Sequence, residues 1–365
     1  MVNLLIFPRY TSVQASTRVR FLQFMPYLNK QGIAVEHFSL LSNNSINTKH
    51  HFFKLLFFRF TDIVGTIIKI STLKNNTVIH IHIELFPWLP FWLENSIMNI
   101  FGINNYSIEY DDAWFHRYDK HPNLFIRYIY KNKISKLMKH AQLVIAGNDY
   151  ISAYAKLAGA KNVEIIPTVV DFKKYNIYEK KSKLKPIPVI GWIGTPATTK
   201  FLVEIKSVIS FLHEEKIAVF HAFGADQAQL QGLPIEVIPW DAGSEISTLY
   251  GFDIGIMPLH DSWFERGKCG YKLIQYMACG IPVVASPVGV NNDIVINGVN
   301  GFLAKTEREW IDLLTKLCLD SSLRNNMGSE GKMLVSKNYS VEAVQEKLVN
   351  LFNKLTPHNS NEKFR

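Results

Sequence analysis

Residues 265–303 read ERGKCGYKLIQYMACGIPVVASPVGVNNDIVINGVNGFL, and their pattern decides the fold. Gly270 opens a run in which Tyr271, Ile274, Met277 and Ala278 recur at helical spacing, and Gly280 is placed to end it. Residues 281–285 are an unbroken apolar run, the mark of a buried strand, and a glycine-containing turn follows at 287–289. A helix that feeds a strand buried on both faces belongs to a parallel sheet with crossover helices. A glycine ahead of a helix lets backbone N–H groups approach an anion, and the helix dipole adds positive potential there. Lys268, Lys272 and Gln275 fall at i, i+4 and i+7, so one helical face can present two cations and an amide to a diphosphate with a ribose beside it.

The same alternation extends in both directions. Strands are predicted at 3–8, 33–38, 78–83, 106–110, 144–146 and 163–166. A second series follows at 189–193, 218–223, 236–238, 254–257 and 282–285. Arg18, Phe21, Leu22, Met25 and Leu28 predict one helix over 16–31, and 340–355 reads as one amphipathic helix. Residues 173–188 are lysine-rich, contain two prolines and lack a sustained apolar face, which predicts a linker. The expectation is an α/β chain with Rossmann-like domains at 1–172 and 189–340, the helix from about 341 to 365 packing back on the first.

Composition agrees. The 365 residues are 47% apolar and 19% charged, which excludes disorder by low hydrophobicity. Cys269, Cys279 and Cys318 have neither metal-ligand spacing nor a disulfide framework. The apolar stretches 51–70 and 85–101 are broken by Lys54, Arg59, Asp62, Pro87, Pro90 and Glu94, short of the roughly 20 apolar residues a spanning helix needs. Residues 2–7 run straight into Arg9 and read as a first strand rather than a leader. A soluble or peripheral cytoplasmic chain is expected.

Charge is uneven. Residues 1–185 hold 24 Lys/Arg against 12 Asp/Glu, and the remaining 180 hold 16 against 19. A basic half rich in aromatics points to an anionic surface or substrate. Residues 117–140 carry seven cations against Asp119, with Phe125, Tyr128, Ile129, Ile134 and Leu137 interleaved. They predict a basic amphipathic helix for an anionic membrane surface, the inner face of the plasma membrane. No zinc, helix-turn-helix or RNP-type motif supports nucleic acid as the partner.

The block QYMACGIPVVAS (275–286) resembles the EAMA-x-G-x-PVVA motif of the family 4 retaining glycosyltransferases, which have the GT-B fold, two Rossmann-like domains facing across a cleft. IGWIGTPATTK (190–200) is similar to that family's strand and Gly-rich phosphate turn, with Gly194 and Lys200 in place and Thr195 where an arginine stands. AFGA (222–225), the stretch 240–259 and VNGFL (299–303) also resemble it. The likeness covers most of 144–350. It implies transfer of a sugar from a nucleotide-diphosphate sugar to a glycan or lipid-linked acceptor, with no cofactor and no metal, in cell-envelope polysaccharide biosynthesis. Two family glutamates, one near the donor sugar and one on the ribose, fall on Gly267 and Gln275. Glu265 is the substitute candidate for the first, and an amide at Gln275 can still bond hydroxyls. A GT-B nucleotide-sugar epimerase and a non-catalytic partner subunit are the alternatives.

The catalytic candidates are therefore Lys200, Lys268, Glu265 and Asp111, and the donor-binding candidates Gly194, Thr195, Gly270, Tyr271, Lys272, Gln275 and Gly289. Asp111 comes from IEYDDAWFH (108–116), a strand ending in two carboxylates, and stands where the resembled family often has a histidine. His116, Glu84, Arg18 and Arg20 are further acceptor-side candidates, whereas His80 and His82, alternating on one strand face, read as core.

Overall fold

The computed structural model describes residues 2–47, 52–74, 76–177 and 187–355. They fall into two compact units: residues up to Thr168 together with those from Val344 on, and Val169–Ala343.

The first unit is built on β1 (Val2–Phe7), β2 (Ile33–His37), β3 (Thr77–His82), β4 (Tyr106–Tyr110), β5 (Leu143–Ala146) and β6 (Val163–Ile165). They form one parallel sheet in the order β2-β1-β3-β4-β5-β6. The second contains β7 (Val189–Ile193), β8 (Val219–Phe223), β9 (Ile235–Ile238), β10 (Ile254–Met257), β11 (Val283–Ala285) and β12 (Gly301–Leu303). Their order is β12-β11-β10-β7-β8-β9, again all parallel. Both are doubly wound sheets with helices on the two faces, and the second has the 3-2-1-4-5-6 order of a dinucleotide-binding fold. β1, β5, β7, β10 and β11 are near-continuous apolar runs because parallel strands are covered on both sides.

Four sequence expectations are corrected. The stretch 16–31 is not one helix: Ala15–Arg20 ends at Phe21, a short 3-10 turn follows, and Met25–Lys30 restarts where Pro26 suits a first helical turn. Residues 117–140 form three short helices, His116–Asp119, Leu124–Tyr130 and Lys133–His140, so no single stripe runs through them. Ile134 and Leu137 are ordinary core residues, and Lys133 is buried. β12 was missed because three residues are too few for any periodicity to register. The first unit stops at Thr168 rather than 172. Val170 bridges to Ser340, and the Phe172–Asn176 helix sends Tyr175 into the second core. Most of the expected linker, 178–186, lies outside the described residues.

Candidate active site

In the second sheet the chain leaves β7 toward β8 and β9 on one side, then continues from β10 to β11 and β12 on the other. The strand order therefore switches between β7 and β10, and such sheets hold ligands outside the carboxyl ends of the strands at that point. Tyr276 ties the two strands together: Ile193 N–H donates to its hydroxyl at 2.8 Å, and the hydroxyl donates to Ile256 O at 3.3 Å. Gly255 must be glycine here, since a Cβ would stand 2.4 Å from the Tyr276 ring.

Glycines line this edge because backbone and side chains crowd it. A Cβ on Gly194 would meet the Trp192 ring at 2.1 Å, and one on Gly224 would meet Gly194 O at 2.5 Å. Gly270 takes φ +65° ahead of the Tyr271–Ala278 helix, and its missing Cβ leaves room for Ile294. Gly289, at φ +54°, lies so close to Arg266 that a Cβ would be 2.4 Å from its carbonyl oxygen. The 287–289 turn is thereby fixed against the short turn at Glu265–Gly267. Gly289→Ala is expected to cost at least about 2 kcal/mol, from left-handed strain plus the clash. A denaturant titration followed by circular dichroism measures it, and an unchanged midpoint would contradict this packing.

Lys272 lies one turn into that helix, half-buried, its Nζ 4.2 Å from the centre of the Trp192 ring. Burial, reinforced by the charge of Lys268, pushes its pKa down from 10.5 to about 7. Lys268 sits before the helix in extended backbone, its Nζ 5.1 Å from the Phe264 ring. The indole Nε1 of Trp192 is buried without a hydrogen-bond partner among the described residues. Two cations that repel each other, on an aromatic floor beside a glycine-opened helix, are an arrangement that an anion relieves.

The expected face of Lys268, Lys272 and Gln275 is not one face. Lys268 precedes the helix, and Gln275 turns inward, buried, where its amide donates to Glu245 Oε1 at 2.6 Å and to the Tyr175 hydroxyl at 3.3 Å. Glu245, which the sequence reading missed, also accepts from Trp240 Nε1 at 3.0 Å. Only the tertiary contact marks it, because 30 residues separate Gln275 from Glu245. Glu265 is half-buried and accepts from the Ser262 hydroxyl. Arg266 pairs with Asp261 at 2.6 and 3.0 Å. Lys200 is exposed at the start of the Lys200–Glu204 helix, 4.9 Å from the Phe201 ring, and Thr195 N–H donates to Thr198 Oγ1 at 3.0 Å.

In the first unit most polar candidates turn out to be structural. Glu84 is fully buried, paired with Arg9 and Lys133 and accepting from the Tyr118 hydroxyl, which removes it as an acceptor-side candidate. Arg20 is likewise buried, on Glu109, Thr168 and the Ile166 carbonyl, rather than in an open loop. Arg18 bonds the Val13 carbonyl at 2.5 Å. His80 bridges Ser107 and Glu109 under the rings of Phe21 and Phe352, as a core residue should. His116 is held between Asp119 and the Tyr150 hydroxyl, both at 2.8 Å. Asp111 sits at the end of β4 with its carboxylate 3.1 Å from His82 Nε2. Burial opposes its charge, but His82 and Arg20 outweigh that and keep its pKa below the ordinary value.

Residues 232–333 match the family model of the glycosyl transferases group 1. This part of the chain belongs to that family. The match takes in Glu245, both lysines, the glycine-opened helix and β10–β12 of the group 1 domain. An uncharacterized glycosyltransferase of Methanocaldococcus jannaschii is 26% identical over 255 residues, 63% of each chain. A capsular polysaccharide biosynthesis glycosyltransferase of Staphylococcus aureus is 25% identical over 178 residues, 45% of this chain and 46% of that one. The aligned part thus spans less than two thirds of either relative. Among solved structures, a sucrose-phosphate synthase from Thermosynechococcus elongatus superposes with a TM-score of 0.69 at 14% identity. The alignment covers 97% of this chain and 99% of that one. The HepE protein of Anabaena, in complex with UDP and glucose, gives 0.68 at 14% identity, over 97% and 100%. The group 1 domain is thus part of a GT-B fold. Among the described residues, no helix is long and apolar enough to cross a membrane, and no three His, Cys, Asp or Glu side chains gather to hold a metal ion.

Proposed function

We propose that this chain transfers a glycosyl group from a nucleoside diphosphate sugar to a glycan or lipid-linked acceptor during assembly of a cell-envelope polysaccharide, with retention at the anomeric carbon. The observation that carries the reading is the Lys268–Lys272 pair at the β7/β10 switch point, inside the group 1 match. When the glycosidic bond to the diphosphate breaks, negative charge grows on the leaving oxygen. Lys272, Lys268 and the N–H groups at Gly270 and Tyr271 are the donors that would stabilise it, with Lys200 contributing from the Gly194 turn. Electrostatic stabilisation of this kind is usually the largest single catalytic term. Gln275 acts through Glu245, whose carboxylate it holds, Glu265 is the carboxylate proposed nearest the sugar chemistry, and Asp111 is the catalytic candidate proposed for the first unit. The envelope role draws on the capsular relative.

The base proposed is uracil, because HepE of Anabaena was solved with UDP. The first test is thermal stabilisation of the purified chain by UDP, GDP, ADP, TDP and CMP, with Lys268→Ala as control. UDP is expected to raise the midpoint and the substitution to abolish the rise. No shift with any nucleotide, from folded protein, would sink the donor-site reading. Because two cations can do the work of a metal, transfer is expected to survive EDTA unchanged. A rate that collapses with chelator and returns with a divalent ion would refute that part.

A further inference from the structure

The helix between β2 and β3, Phe52–Ser71, is 20 residues long, about 30 Å, whereas the strands of this sheet have six residues or fewer, about 20 Å. Its apolar stripe continues at three- and four-residue steps along its whole length. Ile63, Ile67 and Ile70 pack on the core, but Phe53, Leu56, Phe57 and Phe60 are 51–84% exposed. The surplus of about 10 Å therefore carries the stripe past the carboxyl edge of the sheet.

Two other connections add to that edge. In the order β2-β1-β3-β4-β5, the links β2→β3, β3→β4 and β4→β5 all move the same way across the sheet. Right-handed crossovers put their helices on one face, each starting at the carboxyl edge. The Phe91–Ile100 helix begins there with Trp92 67% exposed, and the Leu124–Tyr130 helix presents Leu124, Phe125 and Tyr128 at 68–78%. The loop after β3 joins these pieces. Leu85, Phe86 and Pro87 line a crevice with Arg59 and Ile63 of the long helix, while the Trp88 ring meets those of Tyr118 and Tyr130 edge-on and its carbonyl accepts from the Tyr130 hydroxyl at 2.7 Å.

Cations predominate around this rim. Lys54, Arg117, Lys120, Lys131 and Lys136 are exposed. Three acids beside them are engaged: Asp62 with Ser42 and Ser45, Asp119 with His116, and Glu94 buried. We infer that this corner of the first unit, the start of the Phe52–Ser71 helix together with Trp92 and the Leu124–Tyr130 helix, docks on an anionic lipid bilayer. Aromatic and aliphatic side chains enter the interface while the cations meet lipid phosphates. A second copy of the chain is the poorer occupant, because a two-fold contact would set this cationic rim against itself. The inference goes beyond the transferase reading and stands apart from it, since neither lysine of the donor site takes part.

The test is flotation of the full chain with vesicles of phosphatidylcholine and phosphatidylglycerol, and in parallel with phosphatidylcholine alone. Binding is expected to the mixed vesicles, to weaken with salt and to be much lower on the neutral ones. The set Leu56→Ser, Phe57→Ser, Phe60→Ser and the set Lys120→Glu, Lys131→Glu, Lys136→Glu should each lower it at least about ten-fold. Both variants are taken forward only if they keep the parent's circular dichroism and melting midpoint; otherwise Phe57→Ser and Lys131→Glu singly replace them. No binding to mixed vesicles would overturn the inference. So would binding that neither set weakens, or a concentration-dependent dimer that the same substitutions abolish. UDP-induced stabilisation is read separately on every variant, so a failed donor site and a failed membrane surface give different results.

Discussion

Lys272→Met is expected to lower kcat by about 10²–10³-fold, the usual loss when one preorganised donor to a developing oxyanion is removed, while leaving the folded chain no less stable. The two outcomes are linked by one fact. Lys272 is held half-buried against Trp192, and burial with Lys268 brings its pKa to about 7, well under the 10.5 of a free lysine. Its charged form is disfavoured in the empty protein, so the unfolded chain binds more protons than the folded one between about pH 7 and 10.5. Stability therefore rises with pH through that window because of this group, and the rise should vanish in Lys272→Met. Donor binding has the opposite sign. A diphosphate selects the ammonium form, so UDP affinity is highest below pH 7 and falls above it, by up to about ten-fold per pH unit. Calorimetric titration at pH 6, 7 and 8 reads this directly. A UDP affinity with the same pH profile in parent and variant would place the diphosphate elsewhere.

The largest effect on stability belongs to Lys133→Met. The ammonium is fully buried, 2.5 Å from Glu84, 2.9 Å from Glu94 and 2.7 Å from the Phe86 carbonyl. Removing it strands carboxylates in the core, which typically costs about 3–5 kcal/mol. For a unit of this size that corresponds to a drop of roughly 10 °C in its thermal midpoint. Adding Glu94→Gln should recover part of the loss, because burial already outweighs Lys133 in raising the Glu94 pKa, so an amide removes a charge the core disfavours. Glu84 is the reverse case: burial opposes its charge, but Lys133 and then Arg9 prevail and hold its pKa below 4.5. As pH falls the unfolded chain takes up that proton first, so the first unit should lose stability once pH drops below about 4.5. A variant that melts with the parent would show that this cluster carries no weight.

How much of this was legible beforehand depends on what each feature needs. Eleven of the twelve strands were legible because a strand covered on both faces must be a short apolar run, and such runs survive in one dimension. The glycine at 270 and the helix behind it were equally plain, since a left-handed residue before helical spacing leaves few alternatives. Side-chain partners were not legible. Gln275 and Lys272 are three residues apart on one helix, yet one meets Glu245 in the interior and the other covers Trp192. Glu84, Arg20 and Lys133 looked like surface or cleft residues, because a charged side chain reads as exposed until its counter-charge is known. Arg9 and Lys133 lie 75 and 49 residues away from Glu84 along the chain, and no local pattern announces them.

The sequence by itself thus determined the two doubly wound sheets, the position of the glycine-opened helix after β10 and the concentration of positive charge in the first half. Each rests on local periodicity or on a count. The tertiary structure alone decided which polar groups are free to act. It buried Glu84, Arg20 and Gln275 among partners, lowered the Lys272 pKa, and drew one long helix past the edge of its sheet. Those outcomes depend on desolvation and on distances between residues far apart in the chain, quantities that come into being only when the chain packs.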